Sequence, residues 1–300
     1  MIWRVVLDPE NLLNFWNRTK HDLSQFDVSF TLEDVPDRST REYRTYQLVL
    51  NSFHGIQIRG WYSVPTDPPP NGRFPAVLAV PGYGGMKEIP THLVVSGFVV
   101  LTLFPRAQGE SLQEWQLDHG TKITYNLFNK DDYYYRYAYM DCIRGLDFLC
   151  CQAEVDSSRI GMWSRSQGGG LTLATASLDS RLSVAVAEEP FLCNYPEAIN
   201  ITSSPYKELY DYIKFNSDST EDILNTLFYF DMLNLVQFIE CPTLMNIGMK
   251  DETCPYNTIM PVFERIKAAK AIHIYPELPH SPCSDFNAHA MNWLRRYLGA

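Results

Sequence analysis

The chain has 300 residues, 45% of them apolar, enough to bury a sizeable core and few enough to expect one catalytic domain over residues 1–300. Thirty-five acidic against twenty-five basic residues give a formal charge of −10 with no Lys/Arg cluster, which argues against nucleic acid or an anionic membrane as partner and leaves a small molecule as the expected one. No segment approaches the roughly 18 apolar residues of a membrane span. The seven cysteines are scattered, with no C-x-x-C spacing, so neither a disulfide framework nor a zinc site is indicated. The opening residues Met1 to Pro9 carry too short an apolar run for a signal peptide, and a cytoplasmic location is expected.

In chain order, Pro9 to Gln25 reads as an amphipathic helix with Leu12, Leu13, Phe15 and Trp16 on one side. Tyr46 to Phe53 and Ile56 to Val64 are β-rich runs separated by His54-Gly55, the pattern of an antiparallel hairpin; the Pro-rich stretch 65–72 then reads as a surface loop. Ala76 to Val80 and Phe98 to Leu103 are continuous apolar runs, as parallel strands buried on both faces should be. Tyr133 to Cys151 has a helical apolar rhythm. Further buried strands are expected at Ile160 to Trp163, Leu182 to Ala187, Thr243 to Ile247 and Ala271 to Tyr275. This alternation predicts an α/β fold with a mostly parallel central sheet flanked by helices. The interval 189–241 is too long for an ordinary crossover and rich in Tyr, Phe, Asn and Ser. It reads equally as a helical cap over a site or as two packing helices.

The sheet pattern gives the stretch Ser164-Arg165-Ser166-Gln167-Gly168-Gly169-Gly170 its meaning, because it falls between an apolar strand and a small-residue helix. In the nucleophile elbow of α/β-hydrolases, G-x-S-x-G, the turn is so sharp that the residues two before and two after the serine must be small. Ser164 and Gly168 hold those positions and Ser166 is the candidate nucleophile. A serine hydroxyl needs a neutral imidazole to take its proton and a carboxylate to orient that imidazole. In this fold class both follow later strands, acid before histidine. Asp251 follows the strand 243–247, with Glu252 as the fallback acid, and His280 follows the strand 271–275. His273 falls inside a strand, and His289 fits the terminal helix. The oxyanion of a tetrahedral intermediate needs two donors: the backbone N–H of Gln167 and one from the loop Pro81-Gly82-Tyr83-Gly84-Gly85. Lys87 follows this loop without the spacing of a phosphate-binding P-loop.

Pro81 to Gly85, Arg106-Ala107-Gln108-Gly109, Asp131 to Arg136, Ser166 to Gly170, Pro190-Phe191-Leu192-Cys193, Gly248 to Asp251 and His280 stand in the order and approximate spacing found in one family. From about Trp16 onward the chain resembles acetyl xylan esterases and cephalosporin C deacetylases, the seventh carbohydrate esterase family. The resemblance implies hydrolysis of short acyl esters, chiefly acetyl groups on small xylo-oligosaccharides and on cephalosporin-type alcohols, with neither metal nor organic cofactor. It implies Ser166, Asp251 and His280 as a catalytic triad, with the backbone N–H groups of Tyr83 and Gln167 as oxyanion donors. Arg106 and Gln108 match an R-G-Q motif that supports the site from behind, and a homo-oligomer is the family's usual form. The chain departs from the family pattern at Ser164, Arg165 and Ala107, each in place of a glycine, and at Ser281, in place of a glutamate. The alternatives are a general carboxylesterase of broader acyl range and a prolyl-oligopeptidase-like peptidase, for whose amino-terminal propeller the residues before the hairpin leave no room.

Overall fold

A computed structural model describes residues 9–70, 72–201 and 203–299. The opening residues on which the signal-peptide reading rests, and Asn71 in the expected surface loop, lie outside the described residues. Nine strands form one sheet: β1 (Phe30–Asp34), β2 (Tyr43–Asn51), β3 (Gln57–Pro65), β4 (Phe74–Ala79), β5 (Val99–Phe104), β6 (Val155–Arg165), β7 (Leu182–Glu188), β8 (Thr243–Gly248) and β9 (Lys270–Tyr275). Their order is β1-β2-β3-β5-β4-β6-β7-β8-β9. The first three strands are antiparallel to their neighbours, and the six from β5 to β9 run parallel. The expected hairpin is β2 and β3, with Leu48 opposite Gly60. Gly60 is required by packing, since a Cβ there would stand 2.7 Å from the Thr102 carbonyl oxygen on β5.

Every residue of β4, β5 and β8 is buried, which is why these strands read as unbroken apolar runs. Alternate side chains serve two cores. Ala76, Leu78, Leu101 and Met162 face one side of the sheet, and Val77, Val100, Trp163 and Val184 the other. On the first side lie α1 (Pro9–Ser24), α3 (Tyr134–Cys151), α4 (Gln167–Leu178) and α9 (Tyr256–Arg265). The second is covered by α2 (Thr91–Val94) and α10 (Ser284–Leu298).

Helix α1 buries Leu12, Phe15 and Trp16, and the Trp16 indole stacks on Tyr139 of α3 while donating to the Tyr229 carbonyl. Leu13, expected on the same face, is exposed instead. It stands about 100° round the helix from Leu12, and the aromatic pair at 15 and 16 decides which way the helix rolls. Between β7 and β8 the chain forms α5 (Tyr195–Ala198), α6 (Tyr206–Phe215), α7 (Thr220–Phe228) and α8 (Met232–Leu235). Phe230, Met232, Leu235 and Val236 are core residues, whereas α6 reaches the loop after β4. Among the described residues no helix is long and apolar enough to cross a membrane, and all seven cysteines are free.

Candidate active site

The carboxyl ends of the parallel strands meet at a cleft of about 430 Å³ whose lining includes Tyr83, Lys87, Arg165, Ser166, Pro205 and His280. Ser166 sits between β6 and α4 at φ 60°, ψ −122°, a left-handed conformation that costs roughly 1–3 kcal/mol outside glycine. The surroundings impose it. The Ser166 N–H donates to the Glu188 carbonyl at 2.8 Å, and its carbonyl accepts from Phe191 N–H at 2.9 Å and Gly170 N–H at 3.0 Å.

The crowding behind the turn explains its small residues. A Cβ on Gly168 would stand 2.7 Å from the Ser164 Cβ and 2.8 Å from the Val80 carbonyl oxygen, and one on Gly170 would stand 2.3 Å from the Phe191 carbonyl oxygen. Ser164 is buried, and its hydroxyl accepts the Val80 N–H at 2.9 Å. The departure from glycine thus satisfies a backbone donor just past the end of β4.

His280 joins the serine to an acid. Its Nε2 lies 3.0 Å from Ser166 Oγ, and its Nδ1 lies 2.7 Å from Asp251 Oδ2. The Asp251 side chain is fully buried, and its other oxygen accepts the N–H groups of Thr253 at 2.8 Å and Cys254 at 2.7 Å, so the turn after β8 fixes the carboxylate. Glu252, the fallback acid, is exposed. His273 and His289 pack against each other with tilted rings, centroids 4.0 Å apart, in β9 and α10 as expected. Asp251, Cys254 and His280 also bring ligand atoms within 4.8 Å of one another, and they form the one cluster among the described residues with a metal-like donor set. The Asp251–His280 hydrogen bond already engages two of the three.

The loop after β4 is held from two sides. Gln108 Nε2 donates to the Gly82 carbonyl at 3.0 Å. The Tyr83 hydroxyl donates to the Glu208 carboxylate on α6, and Lys122 Nζ donates to the Tyr83 carbonyl at 3.0 Å. Burial and the Glu208 bond push the Tyr83 hydroxyl well above its ordinary pKa, so it remains a donor. Gln167 opens α4, so its N–H has no partner four residues back within the helix. Its side chain is held by the Tyr135 hydroxyl at 2.9 Å.

Arg106 does not reach the cleft. It is buried against Asp141 of α3, with Nη2 2.7 Å from Oδ1 and Nε 2.9 Å from Oδ2. It is joined through Ala107, at φ 58°, to Gln108. That left-handed φ is the physical reason a glycine suits position 107.

One residue beside the trio went unread in the sequence. Glu189 follows β7, with a fully buried side chain whose Oε2 lies 3.6 Å from His280 Nδ1 and 3.5 Å from Arg165 Nη1. The available signal was the pair Glu188-Glu189, two acids ending an apolar strand at the edge where sites form.

The sheet order, the strained serine between β6 and α4, and the histidine and acid on loops after later strands define an α/β-hydrolase with the parts of a serine esterase. More narrowly, the chain belongs to the acetyl xylan esterase family, whose model, described as acetyl xylan esterase (AXE1), matches residues 5–297. It is a carboxylic ester hydrolase. It is 28% identical over 303 residues to the acetyl esterase Axe7A of Xylanibacter ruminicola, a match covering 96% of this chain and 67% of that protein. Among solved structures, the acetyl xylan esterase from Paenibacillus sp. R4 superposes with a TM-score of 0.90 at 30% identity, covering 96% of this chain and 95% of that one. Acetyl xylan esterase 1 from Thermoanaerobacterium sp. gives 0.88 at 26% identity, covering 96% and 94%.

Proposed function

We propose that this chain is a single catalytic domain that removes acetyl groups from small ester substrates, acetylated xylo-oligosaccharides among them and cephalosporin-type acetates as a second class, through an acyl-enzyme on Ser166. The observation that carries this reading is the hydrogen-bonded chain Ser166–His280–Asp251 at 3.0 Å and 2.7 Å. Neutral His280 takes the Ser166 proton as Oγ attacks the acyl carbon, and Asp251 holds the imidazole tautomer and stabilises the cation that results. The carbonyl oxygen, now negative, is met by the N–H groups of Tyr83 and Gln167. His280 then gives its proton to the leaving alcohol. Water attacks the acyl-enzyme by the same route and releases the carboxylic acid and free Ser166. Seven free cysteines favour a reducing compartment, in keeping with a cytoplasmic location.

Acetyl is favoured over longer acyl groups because Tyr83 is not free to swing away. Its hydroxyl is tied to Glu208, its carbonyl to Lys122, and its ring packs edge-on against Phe191 with centroids 5.8 Å apart. Forcing extra methylenes past a side chain held in this way costs roughly 1–3 kcal/mol, about ten- to a hundred-fold in rate. The test is kcat/KM for p-nitrophenyl acetate, butyrate and octanoate and for acetylated xylo-oligosaccharides, with Ser166→Ala as control. The variant is expected to lose on the order of a million-fold in kcat. An octanoyl value at or above the acetyl value overturns the short-acyl reading, and a variant keeping a hundredth of the rate overturns Ser166 as nucleophile.

A further inference from the structure

The Ser166–His280–Asp251 chain leaves a buried acid unexplained. Glu189 stands at the start of the long interval before β8, at φ 40°, with its N–H donating to Asn246 Oδ1 of β8 at 2.9 Å. Its neighbour Glu188, paired with Asn246 across β7 and β8, turns the other way and accepts from the Trp163 indole. Strand alternation and the left-handed turn therefore send one acid into the far core and the other to the histidine. No part of the Glu189 side chain meets solvent, and Oε1 has no hydrogen-bond partner. A carboxyl placed so is costly, and the basic side chains beside it are Arg165, at 3.5 Å, and His280, at 3.6 Å.

We infer that Glu189 is a second carboxylate partner of His280, a positioning residue that stabilises the imidazolium formed when Ser166 gives up its proton. The inference rests on the reading of Ser166, His280 and Asp251 as the triad. At 3.6 Å the contact is too long for a hydrogen bond, and the Nδ1 proton goes to Asp251 at 2.7 Å; Glu189 acts through charge. The groups that face it are Asp251 and the Cys254 thiol from the loop after β8, Arg165 from β6, Glu188 beside it, and His280 with the Ser281 backbone from the loop after β9. Burial, and next the Asp251 charge, raise the Glu189 carboxyl to about 8, against the smaller pull of Arg165. In the resting site it is therefore mostly protonated at neutral pH. Its ionised form, favoured as pH rises, adds a negative charge beside the imidazolium, so the acyl-transfer step speeds up through that range. Pairing with Arg165 alone would give Glu189 a role in stability, with no mark on the pH profile and no dependence on Asp251.

The test compares wild type, Asp251→Asn, Glu189→Gln and the double variant, with kcat and KM for p-nitrophenyl acetate measured from about pH 5 to about pH 9. Wild type is expected to show a second rise in kcat near the Glu189 ionisation, of about three- to tenfold, that Glu189→Gln lacks at unchanged KM. In the Asp251→Asn background Glu189 becomes the remaining carboxylate on His280, and its loss should lower kcat by at least about a further tenfold. A double variant no slower than Asp251→Asn overturns the inference whatever the single variant does. An Asp251→Asn variant as fast as wild type, by contrast, removes the triad reading itself. If Glu189→Gln does not accumulate as folded protein, Glu189→Met, of similar volume and without charge, carries the same expectations.

Discussion

Replacing Asp141 by Asn tests whether the site's scaffold depends on a buried charge far from the cleft. Asp141 is wholly buried and takes four donors: Arg106 N–H at 2.9 Å, Arg106 Nε at 2.9 Å, Arg106 Nη2 at 2.7 Å and Ser52 Oγ at 2.6 Å. Asparagine keeps the size but must turn an NH₂ toward one of these donors and leaves the guanidinium without a counter-charge. Breaking a buried pair from one side costs about 3–5 kcal/mol. Arg106 retains the Phe53 carbonyl at 3.1 Å and the Tyr137 ring at 4.8 Å, so the lower end, about 3 kcal/mol, is expected. That loss corresponds to a Tm lower by roughly 5 °C for a chain of this length. Activity should fall as well, because Arg106 leads through Ala107 to Gln108, which holds the Gly82 carbonyl beside Tyr83. A drop of about tenfold in kcat at nearly constant KM is expected, as a loosened oxyanion donor acts on the transition state. Urea unfolding followed by tryptophan fluorescence, together with esterase kinetics on the same samples, measures both. A destabilisation under about 1 kcal/mol at unchanged m-value would refute the role given to the Arg106–Asp141 pair.

Gly168→Ala places a methyl 2.7 Å from the Ser164 Cβ and 2.8 Å from the Val80 carbonyl oxygen, so the elbow must shift; kcat for p-nitrophenyl acetate is expected to fall by about a hundred-fold or more, and a variant within threefold of wild type would contradict the packing argument. Glu189→Gln should also change how stability depends on pH. The wild-type carboxyl lies at about 8 folded against 4.5 for an ordinary glutamate, so its contribution is full below 4.5 and is lost as pH rises through 8. Urea unfolding of wild type and variant should therefore diverge in the variant's favour across that window, and parallel stability curves would show that the buried carboxyl does not titrate there.

The central strands were legible because burial on both faces leaves a strand no choice but an unbroken apolar run, as in β4 and β5. By contrast, Phe30–Asp34 gave no signal: all five of its residues are exposed at the sheet edge, and only pairing with β2 makes it a strand. At the start of β6, Asp156 to Arg159 are polar because that end of the strand is partly exposed, so only its second half reads as an apolar run. The candidate site could be read in order because in this fold the acid and histidine must follow late strands. Choosing Asp251 over Glu252, however, depends on a turn in which two backbone N–H groups converge on one side chain. The pair Glu188-Glu189 hinted at an acid near the site, but which of the two turns toward the histidine follows from a positive φ that no glycine announces. The departures at the elbow then look different from how they read in the sequence. Ser164 replaces a small residue and supplies an acceptor for Val80, and the cation Arg165 finds its partner in the buried Glu189. Since the same Glu189 oxygen lies against His280, Arg165 and Glu189 are best understood as one adjustment: the arginine eases ionisation of a second carboxyl beside the histidine, and that carboxyl, once ionised, offsets the arginine's charge beside the imidazolium.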